Sequence, residues 1–309
     1  MNVLVWHVHA AYSTALVQGP HRYLIPTLPD RGPDGGGRPR TYAWPDSAVE
    51  VSPHDAAELD VDVVILQRPE ELASLAEQWL GGRRPGRDVP AVYLEHNAPQ
   101  GRVNDMRHPA ADRSDLLIVH VTHFNALFWD VGSTRTRVVE HGIVDPGLRY
   151  RGELERSVAV INEAGRRARV TGTDLLDRFA PVDLFGIGAP DVGGVADLPQ
   201  AELFDEMARR RVYLHPNRWT SLGLSLLEAM HLGMPVVALA TTEVPAAVPA
   251  AAGVVSNRLD VLESGLRRLL NDPDEARERG LVARASARER YGLERFLADW
   301  DDVLQEVTA

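Results

Sequence analysis

Two groups of residues in the second half of the chain have the types and spacing to hold an anionic, hydroxylated ligand. Arg166, Arg167 and Arg169 follow directly on the apolar run Val158 to Asn162, which reads as a strand ending where open α/β sheets bind ligands. Gly223 stands at the start of a helical pattern carried by Leu222, Leu226 and Ala229 or Met230, which closes on Gly233 and Pro235. Guanidinium groups and the N–H groups of a helix start both complement a diphosphate, and glycine lets the backbone approach it. Glu228 interrupts the same apolar helix, and a carboxylate inside an α/β unit needs partners. Paired ribose hydroxyls would supply them. The competing reading of these residues is a surface arginine cluster and an ion-paired carboxylate.

Other groupings carry less. His7 and His9, two apart in a strand, would put both rings on one face and offer two ligands to a metal, without a third. His120 and His123 are discounted in the same way. Asp272 and Asp274 have the spacing of a metal–nucleotide pair but fall where a helix ends, which favours a turn. The first strand is followed by His9-Ala-Ala-Tyr-Ser-Thr where a dinucleotide fold would want G-x-G-x-x-G, and no G-x-S-x-G elbow is present.

Composition narrows the chemistry further. The 309 residues include no cysteine, which excludes disulfides, thiolate nucleophiles and zinc–cysteine sites, and all 33 basic side chains are arginine. Without lysine there is no Schiff-base chemistry, and phosphate must be held by arginine, backbone N–H groups or a helix N-terminus. A net charge of −11 argues against a broad nucleic-acid surface while leaving room for a local anion pocket. No run approaches the roughly 18 apolar residues of a spanning helix. The N-terminal MNVLVWHVHAAYS lacks a basic leader region, so a cytoplasmic protein, free or in peripheral contact with a membrane, is expected.

These groups must be positioned by two series of βα units. In the first half, strands are expected at 3–6, 61–66, 91–94, 116–121 and 136–139, with helices at 70–80 and 124–131. A second series has strands at 158–162, 182–186, 211–214 and 235–239, with helices at 200–209 and 222–232. Asp145 to Gly152 is the expected hinge, residues 30–40 a surface loop, and the charged helical tail from Leu259 ends in a stretch whose Tyr291, Phe296, Leu297 and Trp300 must be buried.

His215-Pro-Asn-Arg-Trp-Thr-Ser-Leu-Gly-Leu-Ser-Leu-Leu-Glu-Ala-Met-His-Leu-Gly-Met-Pro-Val-Val resembles the donor-binding signature of GT-B retaining glycosyltransferases of the family 4 type. Val138 to Asp145 resembles the V-I-x-N-G-V-D stretch of that family, with His141 where Asn is usual. Leu184 to Pro190 resembles its L-x-I-x-G-x-G-P segment, which brings Gly188 to the nucleotide, and Val92 to His96 resembles the strand ending in a histidine that faces the transferred sugar. Glu228 falls on the second glutamate of the E-x7-E pair, the ribose ligand, whereas Thr220 replaces the first. The family's phosphate-binding Arg and Lys map onto Arg166 and Thr171, and with no lysine in the chain Arg169 is expected to stand in.

The resemblance implies an α/β chain of two Rossmann-like domains with a cleft between them. Residues 1–146 would face the acceptor, 147–289 would bind the donor, and a C-terminal helix, 290–309, would cross back to the first domain. It implies sugar transfer from a nucleotide-diphosphate donor to an unidentified acceptor, with retention and no required metal or other cofactor. His96, Arg166 and Arg169 would be catalytic. Thr171, Gly188, Thr220, Ser221, Leu222, Gly223, Leu224 and Glu228 would bind the donor. Two alternatives keep the pocket and change the role: a catalytically weak partner subunit that binds nucleotide sugar or glycan, and a nucleotide-sugar epimerase. Base, sugar, acceptor and oligomeric state stay open.

Overall fold

Seven short strands, β1 (Asn2–Val5), β2 (Arg22–Pro26), β3 (Ala48–Val51), β4 (Val63–Leu66), β5 (Ala91–Glu95), β6 (Leu117–His120) and β7 (Arg135–Val138), pair in parallel in the order β3-β2-β1-β4-β5-β6-β7. Five more, β8 (Leu154–Val160), β9 (Val182–Phe185), β10 (Arg210–His215), β11 (Val236–Leu239) and β12 (Gly253–Ser256), form a second parallel sheet ordered β12-β11-β10-β8-β9. The computed structural model describes residues 1–102 and 104–309. Its compact units are Met1–Gly142 with Leu293–Ala309, and Ile143–Gly292.

Helices cover both faces, as a parallel sheet requires. The first unit has α1 (Ala10–Leu16), α2 (Pro53–Glu58), α3 (Ala76–Trp79) and α4 (His123–Phe128). The second has α5 (Ala164–Arg167), α6 (Gln200–Arg209), α7 (Leu224–Leu232), α8 (Val244–Ala247), α9 (Leu259–Asn271) and α10 (Pro273–Arg290), and α11 (Leu293–Thr308) belongs to the first unit. Strand alternation sorts the core of the second unit. Tyr213, Val236 and Ala238 pack with Leu226 and Met230 on one face, whereas Val212, Leu214, Val237 and Leu239 pack with Leu262, Leu266 and Leu269 of α9 on the other. Most of α7 is buried, which explains why it reads as apolar all round.

Where one sheet's strand order reverses, the loops on either side diverge and leave a crevice at the carboxyl ends of the strands. In the first sheet this point lies between β1 and β4, and in the second between β8 and β10.

Several sequence expectations are corrected. Strands β2, β3 and β12 and helix α1 do not appear among the expected elements, and residues 70–80 form a π-helical turn, Glu71–Leu75, running into α3. Helix α7 begins at Leu224 with Gly223 as its N-cap, so Ser221 and Leu222 precede it rather than open it. The expected hinge is bound within the second unit: Arg149 and Tyr150 N–H groups donate to Leu232 O, and Arg284 holds Asp145 through a 2.8 Å ion pair. Asp272 is the N-cap of α10, its carboxylate accepting from Glu275 N at 2.9 Å, which accounts for its spacing to Asp274.

Helix α11 buries Phe296, Trp300, Val303 and Leu304 at helical spacing. Trp300 Nε1 donates to Tyr12 Oη at 2.9 Å, and Phe296 sits so close to Gly142 that a Cβ there would lie 2.3 Å from its own. Among the described residues no helix is long and apolar enough to cross a membrane.

Candidate functional site

The two sequence-predicted groups of the second unit emerge on either side of its switch point, one after β8 and one after β10. Strand β8 runs into Asn162 and Glu163, the latter in left-handed backbone, and then into the single turn α5. Asn162 Oδ1 accepts from Ile187 N at 3.0 Å and Glu163 N donates to Ile187 O at 2.6 Å, so the Gly186-Ile187-Gly188 turn after β9 is tied to the end of β8. Gly186 is required there, because a Cβ would come within 2.5 Å of Ile161 O. Gly188 takes a φ of 71°, a left-handed conformation that suits glycine.

Arg166 and Arg169 both project from this loop, with side chains 70% and 77% exposed. Neither is idle. Arg166 pairs with Glu163, which its hydrogen bonds hold below the ordinary carboxylate range, and Arg169 Nη1 lies 3.2 Å from Asp174 Oδ2. Sequence reasoning missed a further guanidinium. Arg218 makes a two-pronged contact with Asp174 at 2.6 and 3.0 Å and donates to Arg169 O at 2.8 Å. Asp174, lowered chiefly by Arg218, is thus shared by two arginines and leaves the cluster a net positive charge. Arg218 lies inside the motif segment, two residues before Thr220, which is the signal that could have found it. Thr171 is 1% exposed, and its hydroxyl is engaged with Ala168 O and Thr173 Oγ1, so the position that aligns with the family's lysine faces its own loop.

On the other side of the switch point, β10 delivers His215 and then α7. Gly223 at the N-cap offers no side chain to the first N–H groups of the helix, and a Cβ there would lie 2.5 Å from His215 Cε1. Leu222 is a core residue, Leu224 is half-buried, and Ser221 O accepts from Glu243 N at 3.4 Å. Tyr213 Oη donates to Ser225 Oγ at 2.8 Å, and Ser225 donates to Val160 O at 3.3 Å, which ties the first turn of α7 to both strands flanking the switch.

Glu228 is 6% exposed and receives a 3.4 Å hydrogen bond from Gln200 Nε2, at the long limit for such a contact. Burial pushes its carboxyl up to about 7, against the smaller opposing effect of the Gln200 hydrogen bond. His215 Nε2 and Asn217 Oδ1 are buried without hydrogen-bond partners among the described residues, and burial lowers the His215 imidazole to about 4. Buried polar atoms with little or no hydrogen-bond contact suit a ligand rich in hydroxyl groups, which both donate and accept.

In the first unit, His9, Gln67 and His96 follow β1, β4 and β5, around that sheet's own switch point. The His9 and His96 rings meet edge to face at 4.3 Å, and Tyr12 contacts both His96 at 4.7 Å and His141 at 5.7 Å. Burial, with His9 and His141 nearby, lowers His96 well below the ordinary imidazole value. His7 turns away: its Nδ1 lies 3.0 Å from Gly37 O and its ring packs on Trp44. Strand β1 ends at Val5, so strand alternation does not bring His7 and His9 together. Among the described residues no group of three or more His, Asp or Glu is arranged to hold a metal ion.

Residues 195–285, from the loop before α6 into α10, match the family described as Glycosyl transferases group 1. No curated protein matches the sequence. Solved structures share the fold across the chain. The sucrose-phosphate synthase of Thermosynechococcus elongatus is 12% identical with a TM-score of 0.70, covering 99% of this chain and 98% of its own. The Anabaena protein HepE in complex with UDP is 13% identical with a TM-score of 0.70, covering 99% and 100%. AviGT4, a glycosyltransferase involved in avilamycin A biosynthesis, is 13% identical with a TM-score of 0.61, covering 99% and 98%. The segment holding Glu228 and Gly223 thus matches the group 1 glycosyltransferase family, within a chain that has the GT-B fold.

Proposed function

We propose that this protein is a glycosyltransferase of the family 4 type that moves a sugar from a nucleotide-diphosphate donor to an acceptor hydroxyl, with retention and without a required metal. The observation that carries this reading is the pairing, across one topological switch point, of an exposed arginine cluster after β8 with an uncapped glycine helix start and a buried carboxylate after β10. The match of residues 195–285 to the group 1 family supports it.

In this reading Arg166, Arg169 and the start of α7 stabilise the charge that develops on the leaving diphosphate, the work a divalent ion does elsewhere. Glu228 accepts from the ribose hydroxyls, Gly188 lies by the nucleoside, and Thr220 contacts the sugar through a hydroxyl where the family uses a carboxylate. Leu224, Ser221 and Gly223 supply backbone at the diphosphate, whereas Leu222 and Thr171 support the site from within the protein. His96 contacts the transferred sugar. The family resemblance gives residues 1–146 with the C-terminal helix the acceptor role and residues 147–289 the donor role.

A second reading has its own support. Arg166 and Arg169 are already engaged by Glu163 and Asp174, and Thr220 removes one sugar-binding carboxylate. Both features suit a protein that binds nucleotide sugar with little turnover. Thermal unfolding against UDP, GDP, ADP, CDP and dTDP, with and without magnesium, tests the donor site, since a ligand at 100 times its Kd adds about 2.7 kcal/mol. UDP comes first because HepE, which shares the fold, has been crystallised with UDP and with UDP-glucose. A metal-independent shift with one diphosphate supports the donor site, and release of that nucleotide from its sugar then separates enzyme from binder. No shift with any of the five would overturn both.

A further inference from the structure

We infer that Gln67 is a positioning residue that holds His96 as the neutral tautomer with its proton on Nε2. Its use in sugar recognition rests on the glycosyltransferase reading above. The tautomer itself follows from the hydrogen bonds of the first unit.

The argument runs through donors and acceptors that have no choice. Gln67 is buried immediately after β4, and its Nε2 lies 2.7 Å from Trp6 O. A backbone carbonyl only accepts, so the amide nitrogen must face Trp6 and the amide oxygen must face away. That oxygen lies 2.8 Å from His96 Nε2. An amide oxygen also only accepts, so Nε2 carries the proton, and in a neutral imidazole Nδ1 then keeps the lone pair.

The amide is held firmly enough to impose this choice. Gln67 N donates to Glu71 Oε2 at 2.6 Å, and the fully buried Glu71 is fixed in turn by Arg68 Nε at 2.6 Å. Trp6 follows β1 and Gln67 follows β4, so the lock spans the switch point of the first sheet. The downward pull on the His96 imidazole from burial and from His9 and His141 keeps the ring uncharged at neutral pH.

The test is long-range 1H–15N correlation on the full chain labelled at histidine, with the His96 signals assigned by their loss in His96→Gln. At pH 7 the expected pattern is a protonated Nε2 and a bare Nδ1. Gln67→Leu is expected to mix the two tautomers and to lower kcat/KM for UDP-glucose, as transfer or hydrolysis, about tenfold. Gln67→Glu keeps the side chain's size, places a carboxylate beside Nε2, and is expected to raise the His96 titration by about one pH unit or more. A protonated Nδ1 or an imidazolium in the wild-type protein overturns the inference. So does an unchanged tautomer in Gln67→Leu together with an unchanged titration in Gln67→Glu. The spectra need no turnover, so an inactive protein showing the Nε2–H pattern would count against the glycosyltransferase reading while supporting the tautomer.

Discussion

Gln200 Nε2 donates to Glu228 Oε1 across 3.4 Å, joining the first residue of α6 to the middle of α7. So long a contact leaves a buried carboxylate poorly satisfied, and its pKa of about 7 records the shortfall. Glu228→Ala is expected to weaken nucleotide binding by about 1.5–3 kcal/mol, the range for hydrogen bonds to charged groups. Calorimetric titration with the diphosphate that shifts unfolding measures this, and wild-type affinity in the variant would remove Glu228 from the ribose. Because hydroxyl donors favour the ionised form, binding near pH 7 is also expected to release a fraction of a proton, seen as heats that vary with the buffer.

Glu228 and three buried histidines pull stability in opposite directions with pH. A carboxyl raised from 4.5 to about 7 is bound to more protons when folded than when unfolded. Its contribution is present below about pH 4.5 and is lost as pH rises through 7, a change of about 3 kcal/mol. His120 and His215, lowered to about 4, and His141, lowered to about 3, stay neutral when folded and take up protons only on unfolding. Their contribution is present above pH 6.5 and falls away on acidification, by up to about 3 kcal/mol each near pH 4. His120 and His141 act on the first unit and His215 on the second. Urea titrations from pH 4 to 8 should therefore show acid lability in both units. The fall of the second unit between pH 7 and 4.5 should be steeper in Glu228→Gln, which lacks the opposing carboxyl.

Arg169→Ala is expected to reduce the preference for a nucleoside diphosphate over the nucleoside by about tenfold or more, the loss of a charge-assisted contact. Competition binding at two salt concentrations measures it, because so exposed a cation is screened by salt. Equal discrimination in variant and wild type would take Arg169 out of the site and move the role to Arg218.

Ser225→Ala removes the acceptor of the Tyr213 hydroxyl and the donor to Val160 O together. The second unit is expected to lose about 1–3 kcal/mol from the polar groups left buried, and the nucleotide-induced shift should shrink as the first turn of α7 loosens. Stability unchanged within error would show that this tie is dispensable.

The strands that the sequence made legible are those with unbroken apolar runs, such as Val63–Leu66 and Val236–Leu239. The missed ones are blurred by residues that tertiary contacts demand. Gly253 opens β12 because a Cβ would lie 1.9 Å from Val236 O, and Pro26 ends β2. Helix α7 was readable to within two residues, since Leu222 continues its apolar pattern while packing as ordinary core. Motif spacing located Glu228, Gly223 and the arginine loop. It had no means of locating Gln67 or Asp174, whose roles depend on hydrogen bonds between residues 29 to 61 positions apart, and Arg218 was missed although it lies inside the motif segment.

Helix α11 completes a unit whose other residues end at Gly142, and Ile143–Gly292 lies between them. On the ribosome the first unit to be made is thus the last to be finished. At about 5–20 residues per second, the surface around Tyr12 and Gly142 waits roughly 10–30 s for Phe296 and Trp300 to be synthesised, while the inserted unit has all of its own strands in hand. During that interval the nascent chain displays an aromatic docking face with no occupant, the kind of surface that chaperones hold and that a chain truncated before Leu293 would expose for good.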